Sequence, residues 1–182
     1  MVSQTRPITA EYFNWYIAQP EHIHRNYELI AGEIVEKMVS HPRSSMIAAW
    51  MMGKVAAFVD ERDLGYVTGA DGGYVVSGER YIPDGAFLSK ARCPVIPDEA
   101  YNPIAPDLAL EVLSPINTDE EMRVKVSNYL AAGVVVWLVD PGKRVEVHCT
   151  GQPVRILGPE DTLEGGNFLP GFMLAVQDIL GK

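Results

Sequence analysis

Two short apolar runs carry the residues best suited to do chemistry. They are Ile82-Pro83-Asp84-Gly85-Ala86-Phe87-Leu88 and Pro106-Asp107-Leu108-Ala109-Leu110-Glu111-Val112-Leu113-Ser114-Pro115. Each contains proline and reads as a strand, and each holds an acid, Asp84 or Glu111, where an apolar residue would be expected. A carboxylate at a buried sheet is costly unless it is paired, hydrogen-bonded or bound to a cation. The loop from Lys90 to Ala105 lets the second run return beside the first. Adjacent strands lie roughly 4.8 Å apart, so two acids on one face could share a hard divalent cation through oxygen.

The other elements must hold these acids in place. Thr9 caps a helical arm in which Tyr12, Phe13, Tyr16 and Ile17 recur at helical spacing, ending near Pro20. Tyr27 to Glu36 reads as a hairpin turning at Ala31-Gly32, with Glu28 and Glu33 on solvated faces or leaning toward the acids. Ser40 to Ser44 opens a helix, with His41 as a helix-start residue. Its stripe is Ile47, Trp50, Met51, Lys54 and Phe58, and Met46, Met51 and Met52 fill core. Gly65 to Val76 reads as one bent strand or a hairpin, and its glycines lack phosphate-loop spacing.

Thr118 and Glu121 form a capping box ahead of a helix whose buried stripe is Met122, Val126, Tyr129 and Leu130. Lys125 and Arg123 flank that stripe, so either long side chain could reach toward the acids. Val134 to Val139 is a continuous apolar run, the pattern of a central strand covered on both faces. Asp140-Pro141-Gly142 turns into a partner strand around Val145 and Val147. Strands near Val154 to Leu157 and a closing segment from Leu169 to Val176 follow. This order predicts one α/β domain over residues 1–182, with a helical arm over 9–20, a core over 27–180 and a central mixed sheet flanked by helices.

Composition bounds the function. The 182 residues carry a net charge of −9, which argues against a general nucleic-acid coat but leaves room for an enzyme with a local groove. No run approaches the roughly 20 apolar residues of a membrane span, so no membrane association and a cytoplasmic location are expected. Cys93 and Cys149 make neither a metal-ligand spacing nor a disulfide framework.

An ordered set of motifs carries a family resemblance. Tyr27-Glu-Leu-Ile-x-Gly-Glu-Ile-Val, His41, Pro83-Asp84, Glu111-Val-Leu-Ser-Pro115, Lys125-x3-Tyr129-x3-Gly133-Val, Trp137-x2-Val-Asp-Pro141 and Leu169-Pro-Gly-Phe172 together resemble the Uma-two family of bacterial endonucleases. That family is assigned to the PD-(D/E)XK superfamily with a restriction-endonuclease-like fold. The resemblance spans about Thr9 to Leu180. It implies that Asp84 and Glu111, helped by the Val112 carbonyl, bind Mg2+ or Mn2+ for hydrolysis of phosphodiester bonds in DNA. Leu113 stands where the superfamily has lysine, and the resemblance assigns that amine to Lys125. Tyr81 stands where the family often has arginine, and Ala31 replaces the usual acid of the hairpin turn. Many superfamily members act as homodimers, and a homodimer is expected here.

Each residue also has a plainer reading. Asp84 could be a turn aspartate, Glu111 an edge-strand glutamate paired with Lys125 or Arg123, and Lys125 a solvated helix flank. Glu28, Glu33, His41 and Arg123 are auxiliary candidates; Asp107 reads as a turn acid, Arg43 as a phosphate contact or a solvated cation, and His22 and His24 as exposed. Two other functions compete. One is a catalytically inactive nuclease-fold scaffold acting as a dimeric binding or regulatory module, which the acidic charge and Leu113 favour. The other is a glycosidase, disfavoured because no tryptophan stands beside the acids.

Overall fold

The computed structural model describes residues 7–115 and 117–182. Thr9 caps α1 (Ala10–Ile17), its hydroxyl accepting the Tyr12 N–H at 3.2 Å. β1 (Tyr27–Ile30) and β2 (Glu33–Glu36) form the expected antiparallel hairpin. Ala31 and Gly32 both take positive φ, 53° and 75°, the turn geometry that matches the twist of paired strands. α2 (Pro42–Arg62) ends on Asp63 in a left-handed conformation. Then come β3 (Gly65–Thr68), β4 (Gly73–Val76), β5 (Glu79–Tyr81), β6 (Gly85–Ser89), β7 (Tyr101–Asn102) and β8 (Leu108–Val112). Thr118 caps α3 (Asp119–Ala131) through the Glu121 N–H. The chain closes with β9 (Val135–Asp140), β10 (Arg144–His148), β11 (Arg155–Leu157), β12 (Thr162–Glu164), β13 (Met173–Ala175) and α4 (Val176–Leu180).

The strands divide between two larger sheets, where one central sheet is expected from the sequence. One has the order β11-β10-β9-β8-β6-β3 and the other β2-β1-β5-β4-β7, while β12 and β13 pair apart. β8 and β9 are parallel and joined through α3, the crossover that parallel neighbours require. β6 and β8 run antiparallel. The six-stranded sheet is therefore mixed.

Strand alternation sorts the core. Phe87, Leu108, Leu110, Val112, Trp137 and Val139 pack on one side against α2 and α4. Ala86, Leu88, Ala109, Val136 and Leu138 face the other side, where they meet Met122, Val126 and Tyr129 of α3 and Ile30, Tyr74 and Tyr81 of the second sheet. Phe13 of α1 packs with Tyr27 and Leu29, on the face of β1 that points away from Glu28 and Ile30.

Some expectations change. β3 and β4 are not one strand or a hairpin, because the turn at Gly69–Gly72 sends them to different sheets. The buried stripe of α2 is Ile47, Ala48, Met51, Met52, Val55 and Val59, not one running through Lys54, which is exposed. Met46 is exposed as well and is not core filler. His22 is half-buried, its ring stacked on Tyr16 with centroids 3.8 Å apart.

Candidate active site

Sheet register sets the centre of the site. Gly85 pairs with Leu110 and Ala86 with Ala109, so continuing the ladder by one residue places Asp84 opposite Glu111. Alternation puts Asp84 on the face of Ala86 and Leu88, and Glu111 on the face of Ala109, the side that α3 covers. Gly85 makes room for α2: a Cβ there would stand 2.3 Å from Met52 Cγ. The helix thus packs directly on the backbone beside Asp84.

α3 then supplies two side chains one turn apart, Lys125 and Tyr129, that both reach Glu111. Lys125 Nζ lies 2.9 Å from Glu111 Oε1 and 3.0 Å from Glu28 Oε1. The Tyr129 hydroxyl donates to Glu111 Oε1 at 3.0 Å. Glu28 Oε1 accepts a further bond from the Ile82 N–H at 2.7 Å. Glu28, Glu111 and Lys125 are almost fully buried, at 4%, 4% and 3% exposure.

Asp84 sits nearer solvent and has its own cation. Lys37 Nζ approaches Asp84 Oδ1 at 3.3 Å, and Asp84 Oδ2 accepts the Val112 N–H at 2.9 Å. These groups line a cavity of about 150 Å3 together with Ser40, Asn117 and Glu121.

Burial dominates the electrostatics. It pushes the Glu111 carboxyl up to about 7; Lys125 opposes the shift, and Asp84 and Glu28 add to it. Burial alone would lower the Lys125 ammonium, yet Glu111 and Glu28 flank it and its pKa moves upward. Two carboxylates share one ammonium, so the pocket keeps Lys125 charged while burial opposes ionisation of Glu111. Burial, then the neighbouring Glu111 and Glu28, hold the Tyr129 hydroxyl well above its ordinary range, which keeps it a donor.

Of the residues singled out from sequence, Asp84, Glu111, Val112, Lys125 and Glu28 meet at this cavity. Glu28 is not on a solvated face: it pairs across the hairpin with Val35, on the face that α3 covers. Glu33 is exposed on β2. His41 stands at the N-cap position of α2 without a side-chain cap bond, and with Arg43 it lines a neighbouring groove. Arg123 is exposed, its Nε donating to the Asp119 carbonyl at 3.1 Å. Asp107 accepts the Ser89 N–H at 2.7 Å, at the start of β8 and away from Glu111. Sequence reasoning missed Lys37, and it saw Tyr129 only as packing.

Two carboxylates on one cavity wall are the hard oxygen donors of Mg2+ or Mn2+, and Mg2+ is held by one or two carboxylates while keeping several waters. Among the described residues no group of three or more His, Cys, Asp and Glu side chains gathers into a metal cage. Asp84 and Glu111, with Val112 beside both, are the carboxylates that could hold such an ion at this cavity.

Two acids thus stand on adjacent strand ends of a mixed sheet, with a lysine from the crossover helix behind them. A crystal structure described as a putative nuclease belonging to DUF820, from Anabaena variabilis, superposes on this chain with a TM-score of 0.82. The alignment covers 96% of this chain and 98% of the other at 22% identity. No curated protein matches. The model of the Uma2 family, whose description is "Putative restriction endonuclease", matches residues 9–177. The chain belongs to that family.

Proposed function

We propose that this protein is a metal-dependent endonuclease that hydrolyses phosphodiester bonds in DNA, with Asp84 and Glu111 as ligands of a Mg2+ or Mn2+ ion. The observation that carries this reading is the convergence of those two acids on neighbouring strand ends in one cavity, in a chain of the Uma2 family. When bound, the ion supplies Lewis-acid charge beside the scissile phosphodiester. The chain's own residues fix the geometry. Val112 N–H orients Asp84, and Lys125 and Tyr129 both hold Glu111 Oε1. Glu28, anchored on the Ile82 N–H, keeps the Lys125 ammonium in place. With its bonds given to two carboxylates, Lys125 acts through Glu111 as a positioning residue.

The net charge of −9 means that DNA must be met by local groups near the cavity rather than by a general basic surface. A homodimer would let each site cut one strand, and light scattering on the purified protein gives that answer directly. Among the described residues no helix is long and apolar enough to cross a membrane.

A second reading, the inactive scaffold, draws on the ammonium already paired with each acid, Lys37 on Asp84 and Lys125 on Glu111. One experiment separates the two. Mn2+ is titrated calorimetrically into the wild type, Asp84→Ala and Glu111→Ala, and the three proteins are then assayed for nicking of supercoiled plasmid. Binding and nicking that both vanish in the variants support the endonuclease; a wild type that binds no ion leaves the scaffold.

A further inference from the structure

Lys37 follows β2, its N–H donating to the Asn26 carbonyl at 2.8 Å, and its amine reaches back into the mouth of the cavity. There Nζ meets three oxygens: the Ile82 carbonyl at 2.6 Å, the Ala70 carbonyl at 3.3 Å and Asp84 Oδ1 at 3.3 Å. An ammonium has three N–H donors, and each has an acceptor here. Both Asp84 oxygens are consequently in use, one on Lys37 and the other on the Val112 N–H.

We infer that Lys37 is a displaceable resident cation: it holds Asp84 while the site lacks a divalent ion and must withdraw for that ion to bind. The inference rests on the reading of Asp84 as a metal ligand. A cation on Asp84 Oδ1 would stand within a few ångström of the ammonium, and like charges at that range repel strongly in a partly buried site. Lys37 is able to leave. Its side chain is 19% exposed at the cavity mouth and has a flexible four-carbon stem, so the amine can reach water without moving the backbone. Lys125 cannot do the same, being 4% exposed and clamped by two carboxylates. The two lysines of the cavity thus divide the work: one fixes the buried acids, the other competes with the ion.

The test is calorimetric titration of Mn2+ into the wild type, Lys37→Met and Lys37→Gln, with thermal melts to establish that each variant is folded. Methionine keeps most of the stem without its charge, and glutamine keeps a donor, so a folding defect in one leaves the other to decide. The expected result is Mn2+ binding about tenfold tighter, or more, in the folded variants. Binding by the variants alone, with none by the wild type, supports the inference equally. Affinity equal to or weaker than that of the wild type overturns it while leaving Asp84 as a ligand. No binding by any of the three overturns both the ligand reading and this inference. A second readout is the rate of Lys37 modification by an amine-acylating reagent, mapped by mass spectrometry. Saturating Mn2+ is expected to raise it and to leave Lys125 unmodified; a rate unchanged or lowered by Mn2+ counts against withdrawal.

Discussion

Glu28 and Lys125 stand 97 residues apart in the chain, yet Lys125 Nζ donates to Glu28 Oε1 at 3.0 Å with both side chains almost fully buried. The contact ties the N-terminal hairpin to α3, and through Lys125 to Glu111 on β8. The five-stranded sheet and the six-stranded sheet thereby share one polar cluster.

Removing the ammonium is expected to be severe. Lys125→Met leaves two buried carboxylates without their cation, and loss of one partner of a buried pair typically costs about 3–5 kcal/mol. Glu28→Gln added to Lys125→Met should recover part of that loss by removing one stranded charge. Urea unfolding of the two variants against the wild type measures both effects. A Lys125→Met cost under about 1 kcal/mol is incompatible with the cluster described.

The Glu111 carboxyl makes stability depend on pH in a definite direction. Its pKa rises from 4.5 to about 7 on folding, so between those values the folded state binds more protons than the unfolded chain. By linkage its contribution is fully present below about pH 4.5 and is lost as pH rises to about 7, by a few kcal/mol at most. Glu111→Gln, a mimic of the protonated acid, should gain stability relative to wild type across that window. Parallel unfolding curves at several pH values, with no divergence, would contradict the assignment.

Gly85 is predicted to resist even a methyl group. A Cβ there would meet Met52 Cγ at 2.3 Å, so Gly85→Ala must push the Met52 side chain aside or shift the elements that carry the two residues. A cost of roughly 1–3 kcal/mol is expected, with Asp84 shifted and Mn2+ affinity reduced along with it. Met52→Ala in the same chain should relieve part of the strain, a coupling that a double-mutant cycle reads directly.

The hairpin turn offers the opposite sign. Ala31 is exposed at φ 53°, a conformation in which its Cβ is strained and which glycine takes freely. Ala31→Gly is expected to raise stability by roughly 0.5–1 kcal/mol in urea unfolding without altering the cavity, offset in part by the greater freedom of glycine in the unfolded chain. A destabilisation would mean that the side chain is needed there.

Local chemistry makes most elements legible along the chain. Caps at Thr9 and Thr118, the Ala31-Gly32 turn, and apolar runs bounded by proline act over a few residues, so they can be read along the chain. Asp84 and Glu111 stood out for a related reason, because an acid inside an apolar run announces an unusual environment. Glu28 and Lys37 could not be assigned that way. The alternation around them is compatible with water on either face, and only the docking of α3 over β1 buries one of those faces.

Sequence alone therefore determined the local elements, the candidate acids and the family resemblance, since each depends on neighbours within a few positions. Tertiary structure decided which charges share a cavity. The division of β3 and β4 between sheets, the burial of Glu28 and the pairing of Lys37 with Asp84 all follow from contacts between distant segments. The free energy of a charge is set by what surrounds it in space, and a one-dimensional pattern does not specify that surrounding.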